Sequence, residues 1–299
     1  MPPANAIAAT FFGQLPESVT LIENRGSVNQ VYLAQTRRKR VIVRLPHEED
    51  KERAGAFYAK EAWCLAQAAA LGIPGPTVLA LGKHDRWPYQ LLSYIEGTPG
   101  EESSSLWQTL GEYARRLHGI TLDGFGETLP EFVAGEGRAR WHRFIDYNAE
   151  SLMPTDRLCQ LGVYTQAERP ELLARFTALR QWQIPLGLCH GDLSPRNTLV
   201  GKDGTVFLLD WGCAEAHLVP HYDLLGIPAD ALPAFLDGYG AEPSARGTLL
   251  QEVEALRLLK AFDLTRWAIE RCPTRLDELA TRARQTWAAV KDKKYDSFS

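Results

Sequence analysis

An apolar run, broken by a tight turn and carrying polar residues only at its open end, constrains this chain more than any other feature. Residues 188–212 read LCHGDLSPRN, TLV, GKDGT and VFLLDWG in succession. Asp203-Gly204 is the favoured pair for a two-residue hairpin turn, because both positions then require positive φ. A turn centred there pairs Lys202 with Thr205, Val200 with Phe207, and Asn197 with Asp210. Directly opposed residues have Cα atoms only ~4.5–5.5 Å apart. An amide oxygen and a carboxylate are therefore expected side by side, and a bulge would slip the register by one residue. A small set of oxygen donors that leaves positions for water and substrate suits Mg²⁺ held jointly by protein and triphosphate. Asp192 stands just before the first strand, close to this end but outside its register. That is where a base orienting an attacking hydroxyl is needed. The bland alternative makes Asp192 and Asn197 loop formers and Asp210 a strand end; three such residues converging on one end of an apolar hairpin favours chemistry.

The first hundred residues read as strands around one helix. Residues 28–35, 40–45, 77–81 and 89–95 are β-rich, which predicts a small antiparallel sheet of about five strands. Residues 52–71 carry Phe57, Cys64, Leu65, Ala68 and Leu71 at helical spacing and end at Gly72, Pro74 and Pro76. Glu61 lies in the i, i+4 row of Phe57 and Leu65 and so faces the sheet. A carboxylate turned inward needs a partner, since an unpaired buried charge costs several kcal/mol. Arg44, near the end of a strand, is the expected partner, through a phosphate grip or a structural ion pair. After Gly97 a Gly/Pro/Ser/Glu-rich stretch, 98–105, leads into helical segments at 106–118, 138–150, 168–182, 248–270 and 275–291. The expected division is a β-rich lobe over residues 1–97 and a mainly helical lobe over 98–299, an α+β chain.

The motif His190-Gly191-Asp192 with Asn197 five residues later, followed by Leu209-Asp210-Trp211, resembles the aminoglycoside phosphotransferase and choline kinase family, which has the two-lobed protein-kinase-like fold. The resemblance implies an ATP- and Mg²⁺-dependent transfer of a phosphoryl group to a small-molecule hydroxyl. It implies Asp192 as catalytic base, Asn197 and Asp210 as Mg²⁺ ligands, His190 as a prop of the loop, and Asp223 as its brace. By the same likeness Arg44 and Glu61 correspond to the strand lysine that grips phosphates and the helix glutamate that holds it. Arginine for lysine is a departure, although guanidinium grips phosphate bidentately. Residues 23–32 resemble the phosphate-covering turn through Gly26, Ser27 and Asn29, with one glycine where the family pattern has three. The approach to Gly97 looks like the adenine-binding hinge, with Ser93 and Ile95 as candidates; an edge strand explains it equally well.

For the acceptor, Glu215, Asp230, Asp263 and Glu270 could supply an acidic cleft, and Trp267 with Glu270 a pocket wall; core packing is the competing reading of the tryptophans. Residues 122–126 and 141–144 faintly resemble hygromycin-type phosphotransferases, without selecting an antibiotic over choline, a sugar or homoserine. A non-catalytic nucleotide-binding module is a second class, and His190, His217, His221 and Asp223 raise a third, a metal-dependent phosphohydrolase. The 33 basic and 37 acidic residues are mixed along the chain, so no positive field gathers polyanions and nucleic acid is not expected as a partner. Five scattered cysteines suit a reducing cytoplasm. No run approaches the ~18 apolar residues of a membrane span, and no secretion signal opens the chain. A cytoplasmic protein without a membrane partner is expected, with monomer or homodimer left open.

Overall fold

Five strands, β1 Ser18–Leu21, β2 Asn29–Gln35, β3 Arg40–Pro46, β4 Val78–His84 and β5 Trp87–Ser93, appear in the computed structural model, which describes residues 3–22, 29–126 and 135–293. They form one antiparallel sheet in the order β1-β2-β3-β5-β4. On β3, Val41, Val43 and Leu45 point into an apolar cluster with Ala34, Trp87 and Leu91, whereas Ile42 and Arg44 point to the other face. A helix the sequence did not announce, α1 Ala4–Phe12, closes that cluster with Ala4, Ile7 and Ala8.

Helix α2, Lys51–Ala70, packs on the sheet through Ala54, Tyr58, Glu61, Leu65 and Ala68, the expected three-and-four spacing. Its end is a Schellman cap. Gly72, at φ +69°, donates to Ala69 O at 3.0 Å, and Ile73 donates to Ala68 O at 2.9 Å. Beyond the cap, Pro74 O accepts from Leu208 N at 2.8 Å, which ties this corner to the central hairpin.

The hairpin strands are β8 Thr198–Val200 and β9 Val206–Leu208, and β6 Thr98–Pro99 joins them in a three-stranded sheet. Their register differs by one residue from that expected. Thr198 pairs with Leu208 and Val200 with Val206, so Asn197 comes opposite Leu209, whose N donates to Asn197 O at 2.8 Å. The reason lies in the turn. Gly201 N donates to Thr205 O, Gly204 alone of the turn residues has positive φ (+83°), and Asp203 accepts from Thr205 N and Oγ1. This is a three-residue loop with a left-handed glycine, which moves the pairing by one. The stretch at 98–105 is likewise no free linker at its start, because Thr98 and Pro99 pair with Val200 and Leu199.

The chain divides into two compact units, Met1–Tyr113 with Asp192–Ala214, and Ala114–Gly191 with Glu215–Ser299; α3, Ser104–His118, is divided between them. The second is helical: α4 Gly137–Glu150, α5 Arg157–Gln160, α6 Arg169–Ala178, α7 His221–Leu224, α8 Leu232–Tyr239, α9 Pro243–Arg271 and α10 Leu276–Val290. Trp141, Trp182 and Trp287 lie in its core with Phe176 and Phe262. A two-stranded ribbon, β7 Leu186–Cys189 against β10 Glu215–Leu218, completes it. No helix among the described residues is long and apolar enough to cross a membrane.

Two glycines separate packing from propensity. A Cβ on Gly97 would meet Val200 O at 2.8 Å, whereas one on Gly55 meets nothing within 4 Å. Gly97→Ala is expected to destabilise by about 1–3 kcal/mol through overpacking. Gly55→Ala, inside α2, should stabilise by about 0.5–1 kcal/mol through helix propensity. Denaturant unfolding of the two variants, read against the parent, checks both signs.

Candidate active site

Arg44 sits on β3 directly opposite Gln90 on β5, and α2 brings Glu61 to it from the same face of the sheet. Its Nη1 donates to Glu61 Oε2 at 2.6 Å and to Gln90 Oε1 at 3.0 Å. Glu61 is 1% exposed, so burial pushes its carboxyl above the usual carboxylate range, opposed by the guanidinium beside it. Gln90 was not expected here. Its signal was only a polar residue in an apolar strand.

The hairpin delivers the remaining polar groups to the same unit. Asn197 ends the short 3-10 turn Pro195–Asn197, and its Nδ2 donates to both Asp192 O and Asp192 Oδ2 at 2.8 Å. Asp210 follows Leu209 with φ +58°, a left-handed conformation uncommon for a residue bearing a Cβ. Its Oδ1 accepts a long bond from Gly212 N, 3.4 Å, the kind of local side-chain bond that lets aspartate tolerate this backbone. Arg44, Glu61, Asn197 and Asp210 all line one cavity of about 490 Å³, together with Ser93 and Ile95.

The donor set of that cavity fits Mg²⁺. The nitrogen of the Asn197 amide is committed to Asp192, so its carbonyl oxygen is the free end, and a carboxylate accompanies it in a space with room for water and phosphate. Ser93 N donates to Thr77 O at 2.8 Å and its hydroxyl accepts from Thr77 N. Among the described residues Ile95 has no main-chain partner, which leaves it the better edge for a planar base. Asn29 is placed differently from the expectation of a phosphate contact. It opens β2, is buried, and accepts from Tyr58 Oη at 2.7 Å, and it is not part of the cavity wall. Gly26 and Ser27 lie outside the described residues.

Two basic residues escaped the sequence reading. Lys60, beside Glu61 on α2, is buried and donates to Gly212 O at 2.9 Å and Ala214 O at 3.1 Å. Arg196 pairs with the Asp192 carboxylate and lines the cavity. A lysine on a helix or an arginine in a loop is ordinarily solvated, so neither carried a signal.

In the second unit Asp223 braces the chain leading to Asp192. Its Oδ1 accepts from Gly191 N at 2.7 Å, and its Oδ2 from His190 N at 3.0 Å and His118 Nε2 at 3.0 Å. Burial alone would raise the Asp223 carboxyl, yet the His118 hydrogen bond, the charges of His118 and His190 and the Gly191 N–H outweigh it and hold the group below its usual range. His118, Cys189 and Asp223 come together as potential metal ligands, but both Asp223 oxygens already accept these bonds and burial keeps the Cys189 thiol protonated. The grouping of His190, His217, His221 and Asp223 weighed as a hydrolase site is not assembled. His217 Nδ1 accepts from Leu218 N with its ring 4.0 Å from Tyr222, while His221 Nε2 bonds Glu252.

The acceptor candidates lie in this unit too. Glu215 is buried and bonded by Tyr222; Asp230 is exposed. Trp267 and Glu270 stand one turn apart on the exposed side of α9, while Asp263, on the same helix, is bonded by Asn148 and raised by burial.

A sheet-borne Arg–Glu pair and the amide and carboxylate at the hairpin's end thus share one cavity. Residues 19–259 match the profile of APH, the phosphotransferase enzyme family. The chain belongs to that family. Similar solved structures include a thermostable mutant of aminoglycoside phosphotransferase APH(4)-Ia in ternary complex with AMP-PNP and hygromycin B, at 16% identity and TM-score 0.67, covering 98% of this chain and 100% of that one. Macrolide 2'-phosphotransferase MphH from Brachybacterium faecium is similar at 17% identity and TM-score 0.60, over 98% of this chain and 99% of that one. Choline kinase LicA from Streptococcus pneumoniae follows at 18% identity and TM-score 0.58, over 95% and 98%. At these identities the likeness is one of fold. No curated protein matches in sequence.

The Asp223 brace sets an acid limit on stability. A carboxyl held below its unfolded value of 3.8 contributes stability that is complete above that pH and is lost as pH falls through the lower, folded value. Melting temperature should therefore drop on acidification below about pH 4, and Asp223→Asn should flatten that limb. At pH 7 the variant should already be several kcal/mol less stable, roughly 3–5, as for a broken buried pair.

Proposed function

We propose that the protein transfers the γ-phosphoryl group of ATP to a hydroxyl of a small molecule. The observation that supports this most is the single cavity shared by the Arg44–Glu61 pair, Asn197 and Asp210, with Asp192 tethered to Asn197 at 2.8 Å. In this reading residues 1–97 grip the nucleotide: Arg44 holds phosphate oxygens, Glu61 and Gln90 fix its guanidinium, and Ile95 meets the base. Residues 98–299 supply the base, the metal donors and the acceptor wall. Asn197 and Asp210 would hold Mg²⁺, which when bound neutralises charge on the phosphate oxygens.

Asp192 accepts the proton of the acceptor hydroxyl through a carboxylate oxygen. The acceptor oxygen forms its bond to the γ-phosphorus, the bond from that phosphorus to the β,γ-bridging oxygen breaks, and the electron pair leaves on ADP. Little else is asked of the protein, because such catalysis is mainly positioning and charge neutralisation. The AMP-PNP in the APH(4)-Ia complex supports a triphosphate donor. Hygromycin B in that complex and the name of the choline kinase relative both point to a small-molecule alcohol as acceptor. The acceptor in this reading is an aminoglycoside-like antibiotic or a small metabolite alcohol, with Glu215, Trp267 and Glu270 as candidate contacts and the cytoplasm, where ATP and Mg²⁺ abound, as the place of action.

ADP release measured across a panel of alcohols, with Mg²⁺-ATP present, should find an acceptor that raises turnover above the hydrolytic background. Asp192→Ala should lower that turnover by about 10²–10⁴-fold, the range of general acid–base catalysis, with nucleotide affinity nearly unchanged. Equal loss of both would assign Asp192 to structure instead. Asn197→Ala and Asp210→Ala should shift the Mg²⁺ dependence to higher concentration.

A further inference from the structure

Among the described residues the cavity wall contains two cations, Arg44 and Arg196, in opposite circumstances. The Arg44 side chain is 14% exposed and fixed by Glu61 and Gln90. That of Arg196 is 72% exposed and pairs with Asp192 Oδ1 across one turn of chain. An exposed i, i+4 pair is a weak tether that an anion of higher charge displaces. Among the described residues Arg196 is the cation that faces the two carboxylates of the site. Arg44 and Glu61 cancel, while Asp192 and Asp210 are both anions, and both draw on Arg196. A triphosphate adds about four negative charges to this setting, and a Mg²⁺ ion cancels only part of them.

Position says which phosphate the guanidinium would meet. Asp192 has to face the acceptor hydroxyl, so a side chain resting on Asp192 sits at the terminal phosphoryl end rather than beside the phosphates that Arg44 reaches. We propose that Arg196 binds the terminal phosphoryl group of the nucleotide, leaving or sharing Asp192 Oδ1 when a triphosphate enters. The inference rests on the phosphotransferase reading above. A planar fork of five donors can hold a carboxylate and a phosphate at once. Its consequence is ordered assembly: the base is covered by Arg196 while the cavity holds no γ-phosphate, and is released when the group to be transferred arrives.

Titration calorimetry with ADP and with AMP-PNP, each with Mg²⁺, on the full chain and on Arg196→Ala and Arg196→Lys tests this. Arg196→Ala should bind ADP within about two-fold of the parent but AMP-PNP about ten-fold or more weakly, as for a lost charge-assisted hydrogen bond, with Arg196→Lys between. Unchanged affinity for both nucleotides would overturn the proposal, as would equal losses for both or a large fall in the melting temperature of the unliganded variant. A parent protein that binds neither nucleotide would overturn the phosphotransferase reading itself, and this inference with it.

Discussion

Asn197 joins the parts of the site. Its side-chain nitrogen donates to two oxygens of Asp192, the main-chain carbonyl and the carboxylate, and its own main-chain carbonyl accepts Leu209 N–H. Loop and second hairpin strand are thereby held to one residue. An amide whose nitrogen is committed cannot flip, so the oxygen is oriented by the same bonds that position the carboxylate. The short turn beneath is closed by Ser194 O, which accepts from Asn197 N at 3.0 Å, and Pro195 O, which accepts from Thr198 Oγ1 at 2.7 Å. Preorganisation of this kind lowers the cost of assembling charged groups during reaction.

The buried ion pair answers a different need. Most of the ion pairs among the described residues are exposed and contribute little each. Arg44 and Glu61 are enclosed, where either charge alone would be costly, so they hold each other in place more than they stabilise the fold. Arginine in this position has a geometric effect that a lysine lacks: one nitrogen serves Glu61 and Gln90 together, and the rest of the planar fork stays directed by them.

Strong periodicity made much of the fold legible. Alternation in residues 40–45 and the three-and-four pattern of α2 reappear as β3 and as the helix that covers the sheet. The long C-terminal helices were likewise visible, although α9 starts earlier, at Pro243. What stayed hidden was short or set by tertiary contacts: α1, the two-residue β6, and β7 and β10, which are buried throughout and show no alternation. The hairpin's residues stood out because polar groups interrupt an apolar run. Its register did not, since Asp203 satisfies Thr205 with its side chain instead of adopting positive φ, a choice that composition does not distinguish. Nor was the bond that Asn29 accepts from Tyr58 legible, because it joins residues far apart in the chain.

Lys60 and Glu61 are consecutive, about 100° apart around α2. One reaches the carbonyls of Gly212 and Ala214, just past Asp210, and the other reaches Arg44 on β3. A helix is stiff about its axis, so these two attachments cannot be adjusted separately. Sliding or rolling α2 by a fraction of a turn would slacken both together. The segment therefore behaves as a lever with two short arms, and its angular setting decides at once whether both attachments are made.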